Sequence, residues 1–133
     1  MPDASTPVAT RSVAARWTLP VLWLAFILVG TSWPNLQVGV PVFGFDKIAH
    51  FTAYAILAAL SLRATLTLRR IGTLLAVVVA VSLLGAVDEW HQSFIPGRSM
   101  SFLDWCADTL GALAGALAVR YIPFLTPRRL QPL

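Results

Sequence analysis

Three short stretches of an otherwise apolar chain hold nearly all of its acidic and histidine side chains. The first, Asp46-Lys47-Ile48-Ala49-His50-Phe51-Thr52-Ala53-Tyr54, spaces Asp46, His50 and Tyr54 four apart, which puts them along one face of a helix. The second is Asp88-Glu89-Trp90-His91-Gln92. The third, Pro96-Gly97-Arg98-Ser99-Met100-Ser101, is followed by Asp104 and Asp108, again four apart. Imidazole beside a carboxylate is suited to proton transfer near neutrality, because one group titrates there while the other stays ionised. Asp46, His50, Asp88, Glu89, His91 and Asp104 are therefore candidate catalytic residues. Lys47, Tyr54, Gln92, Arg98, Ser101 and Asp108 are candidates for holding a substrate, with Arg98 and Lys47 suited to a phosphate or carboxylate. Asp88, Glu89 and Asp104 offer oxygens to a hydrated divalent ion, but their spacing matches no ligand motif, so the metal and any other cofactor stay open.

Each residue also has a purely structural use. Asp46 and Asp104 suit helix starts, Arg98 suits a tie to Asp104 or Glu89, and His91 and Gln92 suit an interfacial surface. As a set they exceed that need. Five of the six acids, both histidines, Lys47 and Arg98 fall in these stretches.

The elements that position them must be membrane spans. Of 133 residues, 57% are hydrophobic and 12% charged, against roughly 25% charged in soluble domains. Mean hydropathy is +0.73. Continuous apolar runs in lipid are helical, because a helix satisfies its own backbone hydrogen bonds; barrel strands would alternate. We expect an all-α membrane protein, a bundle of about four transmembrane helices. The runs are Trp17 to Trp33, about Lys47 to Leu62, Ile71 to Val87, and about Leu103 to Ile122. A cleaved secretory leader competes for the first run, but Trp33-Pro34-Asn35 lacks a small-residue cleavage pattern, which favours a retained span. Residues 1–16 then form a disordered N-terminal tail, 17–122 the four-span domain and 123–133 a basic C-terminal tail.

The net charge of +4 does not point to nucleic acid, since no basic face is clustered. It fits topology instead. Arg11, Arg16, Arg63, Arg69, Arg70, Arg120, Arg128 and Arg129 fall on one side of such a bundle and only Lys47 and Arg98 on the other. The positive-inside rule puts both termini in the cytoplasm and the polar stretches at the outer face. Cys106 is the only cysteine, which excludes an intrachain disulfide. Gly111 and Gly115 form a small-xxx-small pattern that lets another helix approach closely, within the bundle or from a partner.

The motif Asp46-Lys47-x-x-His50-Phe51-x-x-Tyr54, then Asp88-Glu89-x-x-Gln92-x-Phe94-x-Pro96-Gly97-Arg98-x-x-Ser101-x-x-Asp104, then Gly111, resembles the VanZ-like membrane family in both order and spacing. The resemblance covers residues 46–115, and departs where Asp108 stands in place of the family's common Asn. It implies a small multi-pass protein of the bacterial cytoplasmic membrane. The family's named member is associated with low-level resistance to the glycopeptide teicoplanin. Its expected partners are the lipid bilayer and an envelope lipid, glycan precursor or glycopeptide. Two function classes follow: an enzyme acting on an envelope lipid or glycan, or a non-catalytic module binding such a head group or supporting an envelope partner. A transporter fits less well, because transporter sites lie near the midplane on broken helices.

Overall fold

The computed structural model describes residues 12–34, 44–65, 67, 70–122 and 125, and among these all regular secondary structure is helical. Four long helices follow one another: α1 (Val13–Thr31), α2 (Phe45–Thr65), α3 (Ile71–Gln92) and α4 (Phe102–Tyr121). All four are long and apolar enough to cross a membrane. At 1.5 Å per residue, 19 to 22 residues reach about 28–33 Å, the thickness of the hydrocarbon layer.

The helices outrun their apolar stretches where polar residues cap or extend them. The first begins at Val13 rather than Trp17, because the Ser12 hydroxyl accepts from the Ala15 N–H at 3.2 Å and closes the first turn. Residues 1–11, most of the expected tail, lie outside the described residues, as does the C-terminal tail apart from Leu125. The third runs on past Val87 to Gln92, so Asp88 and Glu89 belong to its last turns and not to a loop. Asp46 lies within the first turn of α2 and is not its cap. Asp104 is likewise inside α4, whose N-cap is Ser101; the Ser101 hydroxyl accepts from the Asp104 N–H at 3.3 Å. Between α3 and α4, Ile95-Pro96-Gly97-Arg98 turns on a 3.0 Å bond from the Arg98 N–H to the Ile95 carbonyl, with Gly97 at φ 78°. Proline second and a positive-φ glycine third are what such a turn requires.

The core sits between α2 and α4. A Cβ on Gly111 would overlap the Phe51 carbonyl oxygen, and one on Gly115 that of Ala55. The helix that exploits the small-xxx-small face is therefore α2 of the same chain. Leu57, Ala58 and Leu62 of α2 join Ala112, Ala116 and Val119 of α4 and Leu74, Val77 and Val81 of α3 in one apolar cluster. The first helix is more peripheral, with most of its large apolar side chains exposed, as a lipid-facing helix would have them. It is tied in by Trp23, whose indole N–H donates to the Ala53 carbonyl at 2.9 Å. Trp105 does the same across α3–α4, donating to the Ser82 carbonyl at 3.0 Å beside a 2.7 Å Ser82–Thr109 hydroxyl pair.

Alternating helix direction brings the C-terminal ends of α1 and α3 beside the N-terminal ends of α2 and α4. Asp46, Lys47, His50, Asp88, Glu89, Asp104 and Asp108 all belong to that end of the bundle. Arg16, Arg63, Arg70 and Arg120 belong to the opposite end. The charge segregation read from the sequence is thus a property of the folded bundle.

Candidate functional site

At the polar end, three helices contribute to one cluster. His50, one turn into α2, meets Asp108 of α4: His50 Nδ1 lies 2.9 Å from Asp108 Oδ1. Glu89 of α3 approaches the same nitrogen, with Oε1 at 3.7 Å. Asp108 is wholly buried and Glu89 is 2% exposed. Carboxylates so far from solvent are costly in a bundle unless neighbours compensate them. The compensation is visible for most of their oxygens. The Ser101 backbone N–H donates to Glu89 Oε2 at 2.7 Å, and Gln92 Nε2 donates to Glu89 Oε1 at 3.3 Å. Asp108 Oδ2 is the exception, buried and with no hydrogen-bond partner among the described residues. It fits against α3 only because position 85 is glycine: a Cβ there would lie 2.8 Å from that oxygen.

A second polar group adjoins the first. Asp88, 1% exposed, accepts from the Thr31 hydroxyl of α1 at 2.7 Å and from the Tyr54 hydroxyl at 3.2 Å. Gln92 links the groups, since its Nε2 also lies 3.4 Å from Asp88 Oδ2. The Tyr54 ring runs parallel to that of His50, their centroids 6.5 Å apart. Towards the membrane surface, Lys47 bridges Asp46 and Asp104, with Nζ 2.9 Å from an oxygen of each.

The fold thus brings together nine of the residues singled out in the sequence: Asp46, Lys47, His50, Tyr54, Asp88, Glu89, Gln92, Asp104 and Asp108. Ser101 joins through its backbone and as the α4 cap. Arg98 sits half-buried in the α3–α4 loop. His91 stays apart: its carbonyl accepts from the Phe94 N–H, and among the described residues its side chain makes no hydrogen bond or ion pair with the cluster. The ligand-type atoms that converge are also not those of Asp88, Glu89 and Asp104. Asp88 is turned towards α1, and His50 takes its place: one ligand-type atom each from His50, Glu89 and Asp104 lie within 4.8 Å of one another.

Two contributors had escaped the sequence reading. Thr31 is a lone hydroxyl near the end of an apolar span, ordinarily satisfied by its own helix; its oxygen lies 3.1 Å from the Ile27 carbonyl, but its one hydrogen has the shorter acceptor in Asp88 Oδ1 at 2.7 Å. Gly85 has no chemistry of its own, and its role as the space for Asp108 exists only in the packed bundle.

Four spanning helices, with their acidic and histidine side chains gathered at one end and arginines at the other, define a multi-pass membrane protein. The VanZ/LLP1 family matches the chain over residues 6–124, nearly its whole length, and the chain belongs to that family. No curated protein and no solved structure matches it.

Proposed function

We propose that this protein resides in the bacterial cytoplasmic membrane with both termini inside, and that its outward-facing polar cluster binds the head group of an envelope lipid or glycan precursor and acts on it by acid–base chemistry. The observation that carries this reading is the contact between His50 and Asp108 beside Glu89. A carboxylate on one ring nitrogen fixes the orientation and tautomer of the imidazole and stabilises its protonated form. The other nitrogen then exchanges a proton with a hydroxyl or water of the head group. Glu89, held by Ser101 and Gln92, supplies a second carboxylate at fixed geometry.

A non-catalytic binding module is the second reading, and the Lys47 bridge favours it. An ammonium shared by two carboxylates is already engaged within the chain, as a device that ties α2 to α4 would be. In either case such a module could alter how the envelope meets a glycopeptide, which gives a cellular readout.

The test is direct. The full chain is purified in detergent, incubated with a bacterial envelope lipid extract, and examined by native mass spectrometry for retained lipid and by chromatography for altered head groups. Teicoplanin susceptibility is followed in cells at matched protein levels. We expect the wild type to retain and convert a lipid, and His50→Gln and Glu89→Gln to retain it without conversion. Full conversion by both variants would remove the acid–base role. Retention without conversion by the wild type would favour the binding module.

A further inference from the structure

We infer that His50, Glu89 and Asp104 form a binding site for a first-row divalent cation such as Zn²⁺ or Mn²⁺. The inference deepens the head-group reading above and rests on it for the identity of what the ion would hold. Three atoms no more than 4.8 Å apart fit within a circle whose radius is about 2.8 Å. Zinc bonds to imidazole nitrogen and carboxylate oxygen are about 2.0–2.2 Å, so closing on an ion takes under about 1 Å of movement per ligand, within reach of side-chain rotation. One imidazole with two carboxylates is a donor set for zinc or manganese; calcium and magnesium prefer oxygen alone.

The surroundings of the three residues support the assignment independently of their convergence. His50 Nδ1 is taken by Asp108 and lies 3.7 Å from Glu89 Oε1; the second ring nitrogen makes no hydrogen bond among the described residues and is the one open to an ion after rotation of the ring. Metal-bound histidines commonly have such an outer carboxylate, which orients the ring. That carboxylate is fully buried, and its Oδ2 lacks a hydrogen-bond partner among the described residues, so its charge is incompletely compensated by the protein. On Asp104, Lys47 holds Oδ1, and the other oxygen accepts no hydrogen bond among the described residues. Glu89 is 2% exposed and anchored through the Ser101 N–H.

A cation here also resolves an electrostatic difficulty in the proposed function. A phosphate-bearing head group brought to Glu89, Asp104 and Asp108 would meet like charge, and Lys47 is already shared by two carboxylates. A divalent ion reverses the local sign and gives the phosphate a ligand position, as metal ions do in phosphoryl sites.

The experiment uses the full chain in detergent on a Cys106→Ala background, which removes the thiol as a competing ligand. After treatment with a chelator, Zn²⁺ or Mn²⁺ is titrated by calorimetry, and bound metal is counted by elemental mass spectrometry after dialysis. We expect one ion per chain. We expect His50→Gln, Glu89→Gln and Asp104→Asn each to weaken binding at least tenfold, and Asp108→Asn to weaken it less while keeping the stoichiometry. The His91→Gln variant should bind within twofold of its parent. Circular dichroism identifies any variant that does not fold, and Asp104→Asn, at the helix start, provides a second route if His50→Gln fails. Absence of stoichiometric binding overturns the inference, as does binding lost in His91→Gln but kept in Asp104→Asn. Lipid retention by the metal-free protein, unchanged by added Zn²⁺ or Mn²⁺, overturns the bridging role and leaves the head-group reading standing. One bound ion with no lipid retained in either state overturns the head-group reading and leaves the metal site.

Discussion

His50 and Asp108 are 58 residues apart in the chain, yet their side chains meet at 2.9 Å, inside the closest helix pair of the bundle. The contact depends on α2 and α4 lying backbone to backbone at Gly111 and Gly115, one and two turns further along from Asp108. The packing that stabilises the fold therefore also builds the polar cluster.

That dependence yields a prediction for Gly115. Replacing it with valine forces side-chain atoms onto the Ala55 carbonyl, and overpacking of this kind costs about 1–3 kcal/mol. We expect Gly115→Val to lower the unfolding midpoint in detergent, while Gly72→Ala, at a glycine with open space around it, leaves it nearly unchanged. Equal midpoints for Gly115→Val and wild type would show that α2 and α4 are further apart than described.

Asp108 stands where the resemblance to the VanZ-like motif leads us to expect Asn. An amide oxygen can accept from His50 Nδ1 as a carboxylate does, whereas a leucine leaves a partly buried imidazole without its partner. Asp108→Asn should fold and keep lipid retention within about tenfold; Asp108→Leu should lose it and unfold earlier, since an orphaned buried polar group costs about 1–3 kcal/mol. Thermal unfolding with native mass spectrometry distinguishes the two variants.

Asp88 links the peripheral α1 to the core through Thr31 and Tyr54. Removing either hydroxyl deprives a buried carboxylate of a donor. Thr31→Val and Tyr54→Phe should each destabilise by about 1–3 kcal/mol, with a non-additive double variant because both act on the same side chain. Strict additivity would show that Asp88 does not couple them.

Sidedness is testable with introduced cysteines on a Cys106→Ala background. Ser99→Cys in the α3–α4 loop should react with an impermeant maleimide in intact cells, and Thr67→Cys between α2 and α3 should react only after lysis. The reverse pattern would place the polar cluster in the cytoplasm.

Much of this architecture was legible in the residues themselves. Four apolar runs require four helices, because lipid offers no partner for an unpaired backbone group. The spacing of Asp46, His50 and Tyr54, and of Asp104 and Asp108, follows from the 3.6-residue period, and the alternating direction of four spans brings the three polar stretches to one end. Gly111 and Gly115 marked a close helix contact in advance.

What the linear pattern left open were the partners across helices, since periodicity fixes a face but not its rotation towards a neighbour. Asp88 and Glu89 are adjacent in sequence, yet a helix turns about 100° per residue, so they point to different neighbours. Asp88 serves Thr31 and Tyr54, and Glu89 joins His50 and Ser101. The same rotation sets His91 apart from the cluster that its neighbour Gln92 joins. Only packing decided that His50, and not Asp88, converges with Glu89 and Asp104, because that choice depends on how closely α2 approaches α4.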